Sequence, residues 1–242
     1  MLDNFDFDFF IYKILNNTND EAKSIFLNSK KNIALIALKQ ISGRGRIKKK
    51  WISSFGDLTC TFLINKKIPV EKLGQLNIWI TFKIFSVLKK TFPNINFKIK
   101  WPNDIYLDNK KLGGILIETN IVDNELSFFL IGIGINLTNN PINLEYPTIA
   151  LNKYVSNPDP LNLFFKISEN LTYSILDLKK KKFLNIDENL LMNFKDYKEK
   201  VMIKFKKKTI EGTFVSICEK GDLLLVTDNN KIINVNHGDI LL

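Results

Sequence analysis

Apolar residues follow two rhythms along this chain. Residues 33 to 38 form an unbroken apolar run of strand length, suited to a strand buried on both faces, and Asp57 to Ile64 reads as the next strand. From Glu71 to Phe92 the positions Leu73, Leu76, Ile80, Ile84 and Val87 recur at steps of three and four, which predicts a long amphipathic helix packed on the sheet. Asp108-Asn109-Lys110 reads as a hairpin turn between Tyr106-Leu107 and Leu112 to Ile117, and Leu126 to Asn136 as a further strand. Helical spacing returns after Pro158-Asp159-Pro160, with Leu161, Phe164, Phe165, Ile167, Leu171, Ile175 and Leu178 as a core stripe. Near the N-terminus, Thr18-Asn19-Asp20-Glu21 has the form of a capping box, so a short helix is expected with Thr18 accepting an amide and Glu21 reaching back.

Beyond Tyr197 the helical period disappears. Val201 to Phe205, Thr209 to Cys218, Leu223 to Thr227 and Lys231 to Val235 read as short strands, with Ile240-Leu241-Leu242 after them. Strands so closely spaced predict a small barrel. The expectation is an α+β chain with a mixed-sheet main domain over 1–195 and a small β-barrel over 196–242. A length of 242 residues suits one main domain and a smaller one, at roughly 150 residues per domain.

Composition changes this picture little. The 45% hydrophobic content is ample for a buried core. The formal charge of +10 would suggest nucleic acid, but the lysines are scattered and accompany heavy use of asparagine and isoleucine, which weakens that inference. Residues 179 to 208 hold eleven lysines and read as a solvated face, or as a docking surface for an acidic partner. The first residues are acidic and no apolar run approaches the ~18 residues of a membrane span, so a soluble cytoplasmic protein is expected. Cys60 and Cys218 lie far apart in apolar runs, as reduced core thiols would. The one histidine, His237, beside Gly238, reads as structural, and nothing suggests a Ser-His-Asp or metal-ligand cluster.

Arginine usage is more telling. Only Arg44 and Arg46 break a set of 33 lysines, and both lie in Gly43-Arg44-Gly45-Arg46-Ile47-Lys48-Lys49-Lys50-Trp51. A guanidinium presents a planar fork that matches a carboxylate or phosphate at two points, which an ammonium does not. The intervening glycines allow close approach of backbone to a ligand.

A second block, Lys100-Trp101-Pro102-Asn103-Asp104, runs on to Lys111-Leu112-Gly113-Gly114-Ile115-Leu116-Ile117-Glu118, and a third reads Gly132-Ile133-Gly134-Ile135-Asn136. In order and spacing the three blocks resemble the catalytic domain of biotin protein ligases, and the resemblance extends from about Thr18 to the C-terminus. It implies a biotin/lipoate ligase-like fold followed by an SH3-like barrel. It also implies a two-step reaction in which biotin and ATP give biotinyl-5′-adenylate, and a lysine of a carrier protein then takes the biotinyl group. The acceptor implied is the biotin carboxyl carrier domain of acetyl-CoA carboxylase or of another biotin-dependent carboxylase. Family members are monomers or homodimers.

Residue by residue, the resemblance implies that Asn17, Thr18, Asn19 and Gln40 bind biotin, together with Gly43, Gly45 and Gly114. Arg44, Arg46 and Lys111 are expected to hold the carboxylate and α-phosphate as the catalytic cations. Lys111 is preferred to Lys110 because it directly precedes Leu-Gly-Gly. Trp51, Asn103, Asp104, Gly134 and Asn136 are expected on the nucleotide side, with Mg²⁺ arriving with ATP near Asp104 and no dedicated metal cage. Trp101 could equally be core.

The sequence departs from the family pattern where Ile47 and Lys48 replace a basic residue and a glycine after the arginines, and where Ser54 replaces a proline. A stiffer loop is expected. Only sixteen residues precede Asn17, too few for a DNA-binding domain of ~60 residues, so a ligase that does not act as a repressor is expected. The rival readings are a lipoate or octanoate ligase or transferase of the same fold, and a basic nucleic-acid-binding module.

Overall fold

The structure is a computed structural model that describes residues 6–142, 144–179, 186–205, 208–236 and 238–241. His237 and part of the lysine-rich stretch lie outside the described residues. The first half of the chain runs β1 (Asp8–Tyr12), α1 (Thr18–Ser29), β2 (Ile33–Ala37), β3 (Gly43–Arg44), β4 (Lys50–Trp51), β5 (Leu58–Ile64), β6 (Ile68–Pro69), α2 (Leu73–Thr91) and β7 (Lys98–Lys100). The middle adds β8 (Asp104–Leu107), β9 (Lys110–Val122), β10 (Glu125–Ile135), α3 (Pro160–Lys179) and α4 (Glu188–Leu191). Five strands close the chain: β11 (Lys200–Phe205), β12 (Lys208–Ile217), β13 (Leu223–Val226), β14 (Ile232–Val235) and β15 (Asp239–Ile240).

Eight strands form one mixed sheet in the order β1-β2-β5-β10-β9-β8-β7, with β6 also paired to β10. Only β1 and β2 run parallel in it; the remaining pairs are antiparallel. Period-two alternation assigns the two faces. Ala34, Ile36, Cys60, Phe62, Phe129 and Ile131 point into the large core under α2 and α3. Ile33, Leu35, Leu63, Phe128 and Leu130 point the other way, against Ala22 and Phe26 of α1. The helix covers only part of that second face, and the uncovered part holds the site described below.

The second sheet is antiparallel in the order β14-β13-β12-β11-β15, with β14 and β15 at its ends, so the C-terminal strands form a small sheet whose barrel is not closed. Its apolar side, including Phe214, Leu223 and Leu225, is continuous with the large core. Trp101 is buried at this junction and donates its Nε1–H to the Gly221 carbonyl at 3.1 Å. Among the described residues no helix is long and apolar enough to cross a membrane.

The start of α1 differs from expectation. Asn17, not Thr18, is the N-cap: its backbone is extended, and its side-chain oxygen accepts from the amides of Asn19 at 2.9 Å and Asp20 at 3.2 Å. Glu21 does not reach back but accepts from the Tyr12 hydroxyl at 3.0 Å. An asparagine carbonyl caps as well as a threonine hydroxyl does, and with the amides already satisfied the Thr18 hydroxyl is free to turn toward the sheet. β1 was not anticipated, because Asp8-Phe9-Phe10-Ile11-Tyr12 carries little alternation and is recruited by pairing with β2.

Candidate active site

A cavity of about 1000 Å³ opens on the sheet face that α1 leaves uncovered. Its floor is set by register. Thr59, Gly134, Gly114 and Asp104 are successive partners across β5, β10, β9 and β8, and Thr61, Gly132 and Leu116 form the next row. Glycines at the centre of both rows keep the floor at backbone level. A Cβ on Gly132 would lie 2.7 Å from Asn19 Oδ1, and one on Gly134 would lie 2.6 Å from the Trp51 indole nitrogen.

One side of the cavity is uncharged and rich in hydrogen-bonding groups. Gln40 Oε1 accepts from the Thr18 amide at 2.7 Å and from its hydroxyl at 3.0 Å. Thr61, fully buried on β5, approaches the Thr18 hydroxyl at 2.8 Å and Asn19 Oδ1 at 2.5 Å. Ser53 fixes the Gln40 backbone from below, accepting from its amide and donating to its carbonyl.

The opposite side is charged. Lys111 Nζ lies 2.7 Å from Asp104 Oδ2, with the Tyr146 ring 5.1 Å away, and both partners are mostly shielded from solvent. Lys111 is also fixed through its backbone, donating its amide to Pro147 and accepting from that of Ile149. Lys110, its neighbour on β9, points to solvent. Buried Lys100 lies beside the Tyr106 ring on the same side, and Lys204, Gly238, Ile240 and Leu241 of the C-terminal sheet complete the wall.

The arginine loop bridges the two sides as a small hairpin in which Gly43 pairs with Trp51 and Arg44 with Lys50. Arg46 reaches across to Asn103 Oδ1 at 3.0 Å, while Asn103 in turn donates to the Ile115 carbonyl. Trp51 lies over Gly134, and its indole N–H is buried with no partner among the described residues. Ile47 stands at φ 52°, ψ 43°, the left-handed region that a glycine would occupy without cost.

Arg44 turns away from the cavity centre. Its fork donates to both Asp20 oxygens at 2.7 and 2.6 Å, and to Glu118 at 2.9 and 3.1 Å. These bonds raise the arginine further above its ordinary range and hold the Asp20 carboxyl below its own. Burial pushes Glu118 up, but hydrogen bonds from Arg44 and Asn19 outweigh it and leave this carboxyl low as well. Among the described residues no group of three or more His, Cys, Asp or Glu could hold a metal ion.

Residues 11–136, which carry nearly all of these groups, match the model of the biotin/lipoate A/B protein ligase family. The chain belongs to that family. Among curated biotin/lipoate ligase relatives, the bifunctional ligase/repressor BirA of Bacillus subtilis is 30% identical over 132 residues, which is 54% of this chain and 40% of the relative. The biotin--[acetyl-CoA-carboxylase] ligase of Paracoccus denitrificans is 28% identical over 126 residues, 52% of each chain. The matched region thus spans about half, or less, of these relatives' length. Among solved structures, the biotin protein ligase from Aquifex aeolicus in complex with biotin and ATP superposes with a TM-score of 0.81 at 27% identity, over 97% of both chains.

Within this family member the cavity gathers Asn17, Thr18, Asn19, Gln40, Arg44, Gly45, Arg46, Trp51, Asn103, Asp104, Lys111, Gly114 and Gly134 of the residues singled out from sequence. Gly43 and Asn136 are not on its surface. Gly43 lies behind the loop against Gln40 and Trp51, and Asn136 is buried beneath, donating its side-chain amide to the Ile149 carbonyl. Thr61, Asp20, Glu118, Lys100 and Tyr146 were not anticipated. For Glu118 a signal existed, since it shares a strand face with Gly114 and Leu116 at period two.

Proposed function

We propose that this chain is a biotin protein ligase: it activates biotin with ATP to biotinyl-5′-adenylate and passes the biotinyl group to a lysine of a biotin carboxyl carrier domain. One observation carries the reading. A single cavity joins an uncharged side with several hydrogen-bonding groups to a cationic side, over a floor of opposed glycines, and about 1000 Å³ has room for two ligands side by side. The Thr18, Asn19, Gln40 and Thr61 groups suit a ring with urea-like donors and acceptors. Lys111 and Arg46 suit the carboxylate and the α-phosphate that meet in the first step.

In that step a carboxylate oxygen attacks the α-phosphorus in line and pyrophosphate departs. Lys111 and Arg46 would neutralise the oxygens as charge develops. In the second step the carrier amine attacks the acyl carbon and AMP leaves, so no side-chain nucleophile is required. Burial pushes the Cys60 thiol far above its ordinary range, which supports leaving cysteine out. Trp51 and Gly134 suit the nucleotide side. A Mg²⁺ ion would come with the ATP phosphates, with Asp104 as at most one oxygen ligand, because that carboxylate is already engaged by Lys111.

The test is to incubate the chain with ATP, Mg²⁺ and either biotin or lipoate, and to identify the acyl-adenylate by mass spectrometry before and after adding a carrier domain. Biotinyl-adenylate followed by carrier labelling is expected. Lipoyl-adenylate alone would transfer the reading to lipoate chemistry, and neither product would end it.

A further inference from the structure

The ionic cluster of Arg44, Asp20 and Glu118 lies outside the chemistry just described, although Arg44 belongs to the loop that bridges the cavity. We propose that Asp20 and Glu118 are positioning residues: they anchor the arginine loop through Arg44, so that of the two arginines only Arg46 is presented to the ligands.

Three observations carry this. The guanidinium makes four hydrogen bonds, two to each carboxylate, so both of its two-point edges are taken by protein and a single Nη1–H of its five donors remains. The carboxylates stand on separate rigid elements, Asp20 in the first turn of α1 and Glu118 on β9, and Glu118 is further held by Asn19 at 2.8 Å. The other ties of the loop are local or lie at one end: its hairpin has two residue pairs, Gly45 donates its amide to Lys49, Arg46 reaches Asn103, and Ile47 at its tip sits in a backbone region unfavourable to a β-branched residue. An isolated exposed ion pair would count for little, but a fork held on both sides between fixed supports also sets geometry. Through Asn19 and Thr61 the same network reaches Thr18, so loop and uncharged side share one framework.

The functional half of this inference rests on the ligase reading, so two measurements are paired. Limited trypsin digestion of the unliganded full chain, scored by mass spectrometry at Arg46 and at Lys48 to Lys50, needs no activity. Asp20→Asn, Glu118→Gln and the double variant should be cut there about fivefold faster than the native chain, with melting temperatures within a few degrees of it. Steady-state biotinylation should then show the biotin KM raised by a similar factor in the carboxylate variants and in Arg44→Lys, with any fall in the saturated rate no larger in Arg44→Lys than in the carboxylate variants. Unchanged cleavage overturns the proposal, as does faster cleavage with an unchanged KM. A fall in the saturated rate for Arg44→Lys far beyond that of the carboxylate variants also overturns it, since Arg44 would then be a ligand. If the native chain forms no biotinyl-adenylate, the ligase reading fails and the cleavage rates alone decide the anchoring.

Discussion

Gly114 and Gly134 stand directly opposite one another across β9 and β10, and the side chains that matter most lie over them: Lys111 and Asp104 over the first, Trp51 over the second. Two runs of glycine in different parts of the sequence thus act as one surface. Their pairing makes the cavity floor, and a charged pair and an indole ring rest on it side by side.

Lys111→Ala should lower adenylate formation by at least about 100-fold, the scale for losing one charge-stabilising donor. Asp104→Asn keeps the shape while removing the partner charge and should cost less. Pyrophosphate release under single-turnover conditions measures both. Lys110→Ala should leave the rate unchanged, because that side chain is exposed.

Gly134→Ala should displace the Trp51 indole, since the new methyl would overlap the ring. The expected cost is about 1–3 kcal/mol of stability, typical of an overpacked site. A shift in tryptophan emission and a raised ATP KM should accompany it. Native emission with native ATP affinity would show that the ring moves aside freely.

Asp20 and Glu118 are held below the ordinary carboxylate range in the folded chain. Their ionised network therefore contributes stability above about pH 4.5, where unfolded carboxylates are already charged, and that contribution is lost as pH falls through the lowered values. The double variant Asp20→Asn with Glu118→Gln should melt about 1–3 °C below the native chain at pH 7, a modest gap because these groups are partly exposed. The gap should narrow as the pH falls from the ordinary carboxylate range through the lowered values. A gap that widened on acidification would contradict the geometry.

Ile47→Gly should make the arginine loop easier to form. A β-branched residue in the left-handed region costs about 1–2 kcal/mol, of which part is offset by the greater freedom of glycine in the unfolded chain. A small rise in melting temperature, about 1–3 °C, is expected. A fall would mean that the exposed isoleucine side chain is held by something the φ angle does not reveal.

Much of the fold was legible because long elements announce themselves locally. The three-and-four spacing of α2 and α3 and the strand runs of β2, β5 and β10 match the structure within two or three residues at each end. The three motif blocks were legible for the same reason, as each is contiguous. What could not be read was partnership at a distance. Asp20 looked like ordinary first-turn acid on a helix and Glu118 like the polar end of a strand, yet they meet Arg44 across separations of 24 and 74 residues. Thr18 was misread for a related reason: threonine and asparagine both make good caps, and only the position of Gln40 and Thr61 shows which of them the sheet would claim.

The opposed glycines also limit how this site can diverge. A floor already reduced to main chain cannot be lowered further by any substitution, whereas every replacement there adds bulk. Each such replacement first meets side chains that already lie over the floor, Asn19 at 132, Trp51 at 134, and Asp104 and Lys111 at 114, so it displaces the site's own groups before it narrows the cavity. More room in the cavity would have to come from positions such as Trp51 or Leu116, where there are side-chain atoms to give up.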